Sequence, residues 1–221
     1  MAPLNDQQRQ ARDEAFGYVC HRCSRCCYDK VIQVNPYEIA RLARNRGQTT
    51  AAFRDAWTGD GLGTTLKRQA DGACVFLGPE GCTVHPDRPL VCRIYPLGRH
   101  VAADGSERWS HATPHPRTEG VYSKDGRIAD YLAAQGAADF MRAADDYTAW
   151  LRRAGEVLDA AGVEPGAAAD ASRAELLDMD GAIAARCRAS GEAEPVDIEA
   201  RKALHLTILQ NTLDAFEGGA R

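Results

Sequence analysis

The chain has 221 residues, 44% of them hydrophobic and 26% charged, and a formal net charge of −4, a balance that supports a packed core without disulfide staples in one large domain or two small ones. The 16 Lys/Arg against 13 Asp/Glu of residues 1–120 and the 11 against 18 of residues 121–221 leave neither half basic enough for a nucleic-acid partner. The N-terminus has no apolar signal core and no stretch approaches the roughly eighteen apolar residues a membrane span needs, so the expected location is cytoplasmic with no membrane partner.

In chain order, the polar stretch from Asp6 to Val19 predicts a short helix that delivers Cys20. Lys30 to Val34, rich in β-branched residues, predicts a short strand. Asn35-Pro36-Tyr37-Glu38 reads as a helix start, with Asn as N-cap, Pro at N1 and Glu at N3. Ile39, Leu42 and Ala43 carry that helix toward Gly47, and Thr50 to Trp57 predicts another. Residues 71–120 are punctuated by Gly and Pro so densely that only short strands and turns fit. A long irregular segment of this kind needs something to organise it, and a bound metal would turn binding energy into folding energy. From Ile128 onward apolar residues recur at helical spacing. They predict helices through Val157, over Ala171–Ser190 and over Val196–Phe216, with a break at Gly162 to Gly166. The expected fold is mainly α: an irregular, metal-organised cysteine-rich half with short strands (1–120), packed against a C-terminal helical bundle (121–221) as one structural unit.

Seven of the eight cysteines form a dense group (Cys20, Cys23, Cys26, Cys27) and a spread group (Cys74, Cys82, Cys92). Two thiolates two residues apart close on one metal at little entropic cost, and here that spacing occurs twice in succession. In a reducing compartment such clusters are metal ligands or redox groups more often than disulfides. Thiolates select zinc, iron–sulfur clusters or Cu(I) over magnesium or calcium. Seven thiols exceed the four that one zinc or one cubane cluster uses, and the overlapping run with remote partners favours a cluster over two separated zinc knuckles. In an extended chain the adjacent Cys26 and Cys27 would point apart, so one is expected to ligate and the other to face a second centre, to pack as a buried thiol or to form a transient disulfide. Arg22, Arg25, Lys30 and Arg93 lie near the thiolates in sequence, either to offset their charge or as ordinary solvated side chains.

Cys20-x-x-Cys23-x-x-Cys26-Cys27, Cys74-Val-Phe-Leu, Gly81-Cys82-Thr-Val-His85 and Arg88-Pro89-Leu-Val-Cys92-Arg93-Ile-Tyr95-Pro96 together resemble the bacterial YkgJ-type cysteine-cluster proteins over residues 16–100. That family is described as zinc- or iron-chelating, and its longer form resembles this chain onward through His111 to Tyr147, around His-x-x-Pro-His-Pro and Gln135-Gly136-Ala137. The cysteine domain is also similar to that of flagellin lysine N-methylases, a family linked to an iron–sulfur cluster and methyl transfer. The resemblance implies an iron–sulfur cofactor, of the 4Fe-4S type, with zinc as the alternative. Shared motifs leave the reaction open. Where the family commonly has a small glycine before the last cysteine pair, this chain has Ser24-Arg25, which predicts a less tightly wrapped loop.

Arg93 and Tyr95, beside Cys92, are candidate hydrogen-bond donors to sulfur; Tyr95 is equally a core candidate. His85 is either a nitrogen ligand or a residue packed beside the Arg-Pro turn, and the packing reading is preferred. His111 and His115 are candidate pocket residues, although Pro114 and Pro116 keep them off any common helix face. His21 reads as exposed, and His100 and His205 as ordinary surface or core positions. Cys187 reads as a small buried hydrophobe. No phosphate-binding loop, nucleophile elbow or zinc-protease motif occurs. Three functions follow: an iron–sulfur protein in electron transfer, metal handling or catalysis; a structural zinc module that presents its helices to a protein partner; or a cluster-dependent methyl-transfer or redox enzyme acting on a protein or small molecule.

Overall fold

The computed structural model describes residues 11–59, 63–102, 104–163 and 175–219. Among these residues the chain forms seven α-helices and three two-stranded antiparallel pairings. The elements divide into two compact units that interleave in sequence, residues 1–30 with 69–139, and residues 31–68 with 140–221. The chain thus crosses between units at 30/31, 68/69 and 139/140, where a sequence-based division has a single boundary at 120/121.

The first unit is built on strand pairs. Strand β1 (Ala15–Val19) pairs with β6 (Val121–Arg127), Tyr18 opposite Tyr122 and Val19 opposite Val121. The helix expected to deliver Cys20 is therefore a strand over its described end, and residues 6–10 of that prediction lie outside the described residues. Phe16, only 2% exposed, anchors β1. Gly17 lets the partner strand close in, since a Cβ there would lie 2.3 Å from Ser123 Oγ. No local window reveals a partner strand a hundred residues away. That pairing also draws residues 121–139, including helix α4 (Ile128–Ala134), into the cysteine-bearing unit.

Short elements fill the Gly/Pro-rich segment as its composition predicts: β2 (Leu77–Gly78) with β3 (Gly81–Cys82), then α3 (Leu90–Arg93), then β4 (Leu97–Val101) with β5 (Glu107–His111). In the last hairpin the Glu107 carboxylate accepts from Arg12, Arg99 and the indole N–H of Trp109, a fully buried side chain. Phe76, Val84, Ile94, Leu97, Ile128 and Tyr131 are also buried in this unit.

The second unit is helical: α1 (Pro36–Asn45), α2 (Thr50–Trp57), most of α5 (Ala138–Ala160), α6 (Met179–Ser190) and α7 (Ile198–Gly219). Helix α1 starts where the sequence places it, in a reciprocal capping box: Glu38 N–H donates to Asn35 Oδ1 at 3.0 Å and Asn35 N–H to Glu38 Oε2 at 3.0 Å. Such a cap contributes about 1 kcal/mol. The strand expected over Lys30–Val34 reduces to an isolated bridge between Gln33 and Thr65. Tyr37, Ile39, Leu42, Phe53, Met179, Ile183 and Leu209 form the core, and Cys187 is buried among helical residues as its setting predicts. No described helix is long and apolar enough to cross a membrane.

His205 is fully buried in this unit. Its Nε2–H donates to the Leu176 carbonyl at 2.8 Å, which leaves Nδ1 to accept from the Tyr147 hydroxyl at 2.9 Å. This assigns the neutral tautomer. Burial lowers the His205 pKa below its ordinary value, so its contribution is intact above the unfolded value near 6.5 and is lost as the unfolded chain alone takes up a proton below it. The helical unit should therefore lose stability below pH ~6.5 by up to about 1.4 kcal/mol per pH unit. Urea melts of the wild type and of His205→Gln between pH 7.5 and 5 check this, with the extra acid sensitivity expected only in the wild type.

Candidate metal centre

The dense cysteine group occupies a tight loop. Arg22 and Ser24 adopt left-handed backbone with φ of 56° and 61°, and Asp29 follows at 54°. For side chains with a Cβ each such conformation costs about 1–2 kcal/mol. Ser24 itself takes the left-handed position and the loop turns tightly, where the sequence predicts a looser loop. Cys27 N–H donates to the Ser24 carbonyl at 3.0 Å, closing a single 3-10 turn over Arg25–Cys27.

That turn changes the geometry of the adjacent cysteines. In a strand their side chains would diverge, but here the Cys27 thiol donates to the Cys26 sulfur. The hydrogen bond from Cys27, aided by the Lys30 ammonium, overcomes burial and lowers the Cys26 pKa to about 6. Donating to Cys26, burial and the neighbouring sulfurs push Cys27 upward.

Backbone bonds then clamp the loop to the spread group. Cys74 N–H donates to the Cys27 carbonyl at 2.8 Å, Tyr28 bridges to Ala73, and Asp29 N–H donates to the Gly72 carbonyl at 3.1 Å. Cys82 lies opposite Leu77 in the β2–β3 hairpin. Cys92 sits in α3, where burial and the Cys74, Cys26 and Cys82 charges raise its pKa to about 12. Burial likewise raises Cys74 and Cys82.

Five thiols therefore share one electrostatic neighbourhood: Cys26, Cys27, Cys74, Cys82 and Cys92. The other two lie toward a group of tyrosines. Cys20 is exposed and acts on Tyr18 and Tyr131. Cys23 acts on Tyr122; although burial raises its pKa, the backbone N–H groups of Glu119 and Arg25 and the Thr118 hydroxyl lower it overall.

Four of the cysteines share one local device. The sulfur accepts from the backbone N–H two residues on, Arg22 for Cys20 (3.4 Å), Arg25 for Cys23, Phe76 for Cys74 and Val84 for Cys82. An N–H aimed at sulfur stabilises the thiolate, the form that binds metal.

Tyr18, Tyr95, Tyr122 and Tyr131 gather beside these thiols. Tyr18 makes edge contacts with Tyr122 (centroids 4.9 Å), Tyr95 (6.0 Å) and Tyr131 (6.4 Å). Burial above all, with Cys26 among the nearby charges, raises all four phenol pKa values, so the cluster stays neutral. Sequence reasoning missed this group apart from Tyr95, because Tyr18, Tyr95, Tyr122 and Tyr131 come together only through the β1–β6 pairing and α4. The two-residue spacing of Tyr18 from Cys20 was the one local sign.

Arg93 is 7% exposed. Its Nη1 donates to the Gln135 carbonyl at 2.8 Å and its Nη2 to the Pro86 carbonyl at 2.7 Å. Arg88 reinforces the tie, donating to the His85 carbonyl (2.8 Å) and to Gln135 Oε1 (2.7 Å). These bonds make Arg93 a brace for the Cys92 segment. Tyr95 stacks its ring under the Lys30 ammonium, and its carbonyl accepts from the Tyr131 hydroxyl. His85 packs beside Arg88 in a 3-10 turn; burial and then the Arg88, Arg22 and Arg93 charges lower its pKa. His111 makes an edge contact with Phe16, and His115 accepts from Arg117 N–H, so each has a partner. His100 meets Ser110 Oγ at 2.8 Å, and His21 is exposed.

Among the described residues no three His, Cys, Asp or Glu side chains are already arranged to hold an ion. The donor chemistry nonetheless fits a thiophilic metal: soft sulfurs are concentrated in one unit, four carry N–H donors, and cations stand nearby. Residues 19–113 match the family model CxxCxxCC, described as "Putative zinc- or iron-chelating domain". This segment is a CxxCxxCC domain. No curated protein and no solved structure matches the chain. The CxxCxxCC domain contains all seven clustered cysteines and reaches just past β5, ending before β6 and α4. The segment and the first unit overlap only in part: residues 31–68 of the segment belong to the second unit, while the first unit runs on to residue 139, with β6 and α4 supplying two of the four tyrosines. The match supports metal binding by this segment, which its description gives as zinc- or iron-chelating.

Proposed function

We propose that the CxxCxxCC domain holds an iron–sulfur cluster of the 4Fe-4S type through its clustered cysteines, in the service of electron transfer, metal handling or cluster-dependent chemistry. The observation that supports this reading is a cysteine set larger than a single zinc uses: Cys26 and four thiols within its electrostatic reach, with Cys20 and Cys23 in the same unit. Hydrogen bonds to sulfur and partial burial are the protein's means of tuning such a cluster. Protein purified without oxygen should be brown, with broad visible absorbance that bleaches on reduction, and should contain iron well in excess of zinc. Colourless protein with one equivalent of zinc would overturn the reading.

A structural zinc site is the second reading. It is favoured by the four cysteines with N–H donors at sulfur, Cys20, Cys23, Cys74 and Cys82, which match zinc's preferred ligand number. On that reading chelation unfolds the cysteine-bearing unit without any redox signal, because zinc has none.

A further inference from the structure

Lys30 follows the dense cysteine group by three residues, and the Cys27, Tyr28 and Asp29 backbone bonds to residues 72–74 fix its position. Its side chain is half-buried, and its Nζ lies 4.0 Å from the centre of the Tyr95 ring. The ammonium is within electrostatic reach of both Cys26 and Cys92. Among the described residues no carboxylate pairs with it.

The other cations of the unit are differently placed. Arg88 reaches Cys82, but its guanidinium is bonded to the His85 carbonyl and Gln135 Oε1. Arg93 is bonded to the Pro86 and Gln135 carbonyls. Arg22 is exposed. Among the described residues, Lys30 combines a fixed seat, reach to both Cys26 and Cys92, and a charge that no carboxylate offsets. The seat matters physically. A carboxylate would hold the ammonium but cancel its field at sulfur, whereas an aromatic face attracts the cation and leaves its charge intact.

We propose that Lys30 is the built-in counter-charge of the metal–thiolate centre, a positioning residue seated on Tyr95 that strengthens metal retention without ligating. The proposal rests on the metal-centre reading of the domain. Four thiolates around a dication, or around a cluster core of equal charge, carry a net negative charge that partial burial makes costly. A fixed ammonium beside Cys26 and Cys92 offsets that cost only in the thiolate form. Lysine suits the role because its charge is compact and its donors rotate freely.

The test uses the full chain reconstituted with iron and sulfide, or with zinc alone, and compares wild type with Lys30→Met, Lys30→Arg and Tyr95→Leu. Metal affinity is read by competition with a chelator, and far-UV circular dichroism checks folding. Lys30→Met should bind its metal about tenfold more weakly, and Lys30→Arg should restore most of the loss because it restores the charge. In the iron form Lys30→Met should also be harder to reduce than wild type, and Lys30→Arg should not. Wild-type affinity in a folded Lys30→Met variant overturns the proposal. Should that variant fail to fold, Tyr95→Leu decides: weaker retention supports the role and unchanged retention ends it. A wild type that takes up neither iron nor zinc overturns the metal-centre reading as well, whereas a loaded wild type with an indifferent Lys30→Met ends only the role of Lys30.

Discussion

Replacement of Cys26 by serine is expected to reduce metal retention by at least about a hundredfold, more than any single change among the residues that only support the ligands. Cys26 is the thiol toward which the others are organised. It accepts from Cys27, and its charge is felt by Cys74, Cys82 and Cys92 and by all four tyrosines. The Cys27 hydrogen bond, aided by Lys30, lowers its pKa and so favours the thiolate, the form that binds metal. Serine is nearly the same size but has a hard oxygen that stays protonated, so it removes the ligand while keeping the shape. Cys187→Ser is the control: that thiol is buried in the helical unit, and its loss should leave metal content unchanged. Metal analysis of both variants after gel filtration checks the expectation, and equal retention in the two would remove Cys26 from the ligand set.

Arg93→Met is expected to cost about 2–4 kcal/mol of stability in the cysteine-bearing unit and to weaken metal retention as a consequence. Arg93 is 7% exposed, and its guanidinium joins the Pro86 carbonyl to the Gln135 carbonyl across 42 residues of chain between Arg93 and Gln135. Methionine fills the stem's volume but leaves those carbonyls without their donor in a place water reaches poorly. Cys92 is the preceding residue, so loosening the brace moves a candidate ligand. Arg93→Lys should recover little, since one ammonium cannot reproduce the planar fork that reaches both acceptors. Denaturation curves of the metal-free and metal-loaded proteins separate the two effects. A loss of retention with unchanged metal-free stability would mean that Arg93 acts on the centre directly.

Much of this architecture is written locally. The Asn35-Pro36-Tyr37-Glu38 start reads correctly because a capping box involves residues three apart and needs nothing else. The Thr50–Trp57 helix, the helical second half and the short strands between residues 71 and 120 follow from periodicity and from Gly and Pro placement. Cys187 reads correctly as buried because a thiol on an apolar helix face is a small hydrophobe. The strand at residues 15–19 is out of reach for one reason. Residues 15–19 form a strand because a partner at residues 121–127 completes their hydrogen bonds, and nothing within a short window announces that partner. The same pairing assigns residues 121–139 to the cysteine-bearing unit.

The cysteine pattern by itself pointed to a metal-chelating domain, because residue type and spacing are properties of the chain that no folding step can alter. Only the tertiary structure decided how those cysteines divide. It wraps Ser24 into a left-handed turn that sets Cys26 beside Cys27, and it brings Cys74, Cys82 and Cys92 as well as the four tyrosines within electrostatic reach of Cys26. It also seats Lys30 on Tyr95 and commits Arg93 to carbonyl oxygens. Electrostatic partnership falls off with distance in space, and that distance is fixed by strand pairing and backbone clamps between segments far apart in sequence.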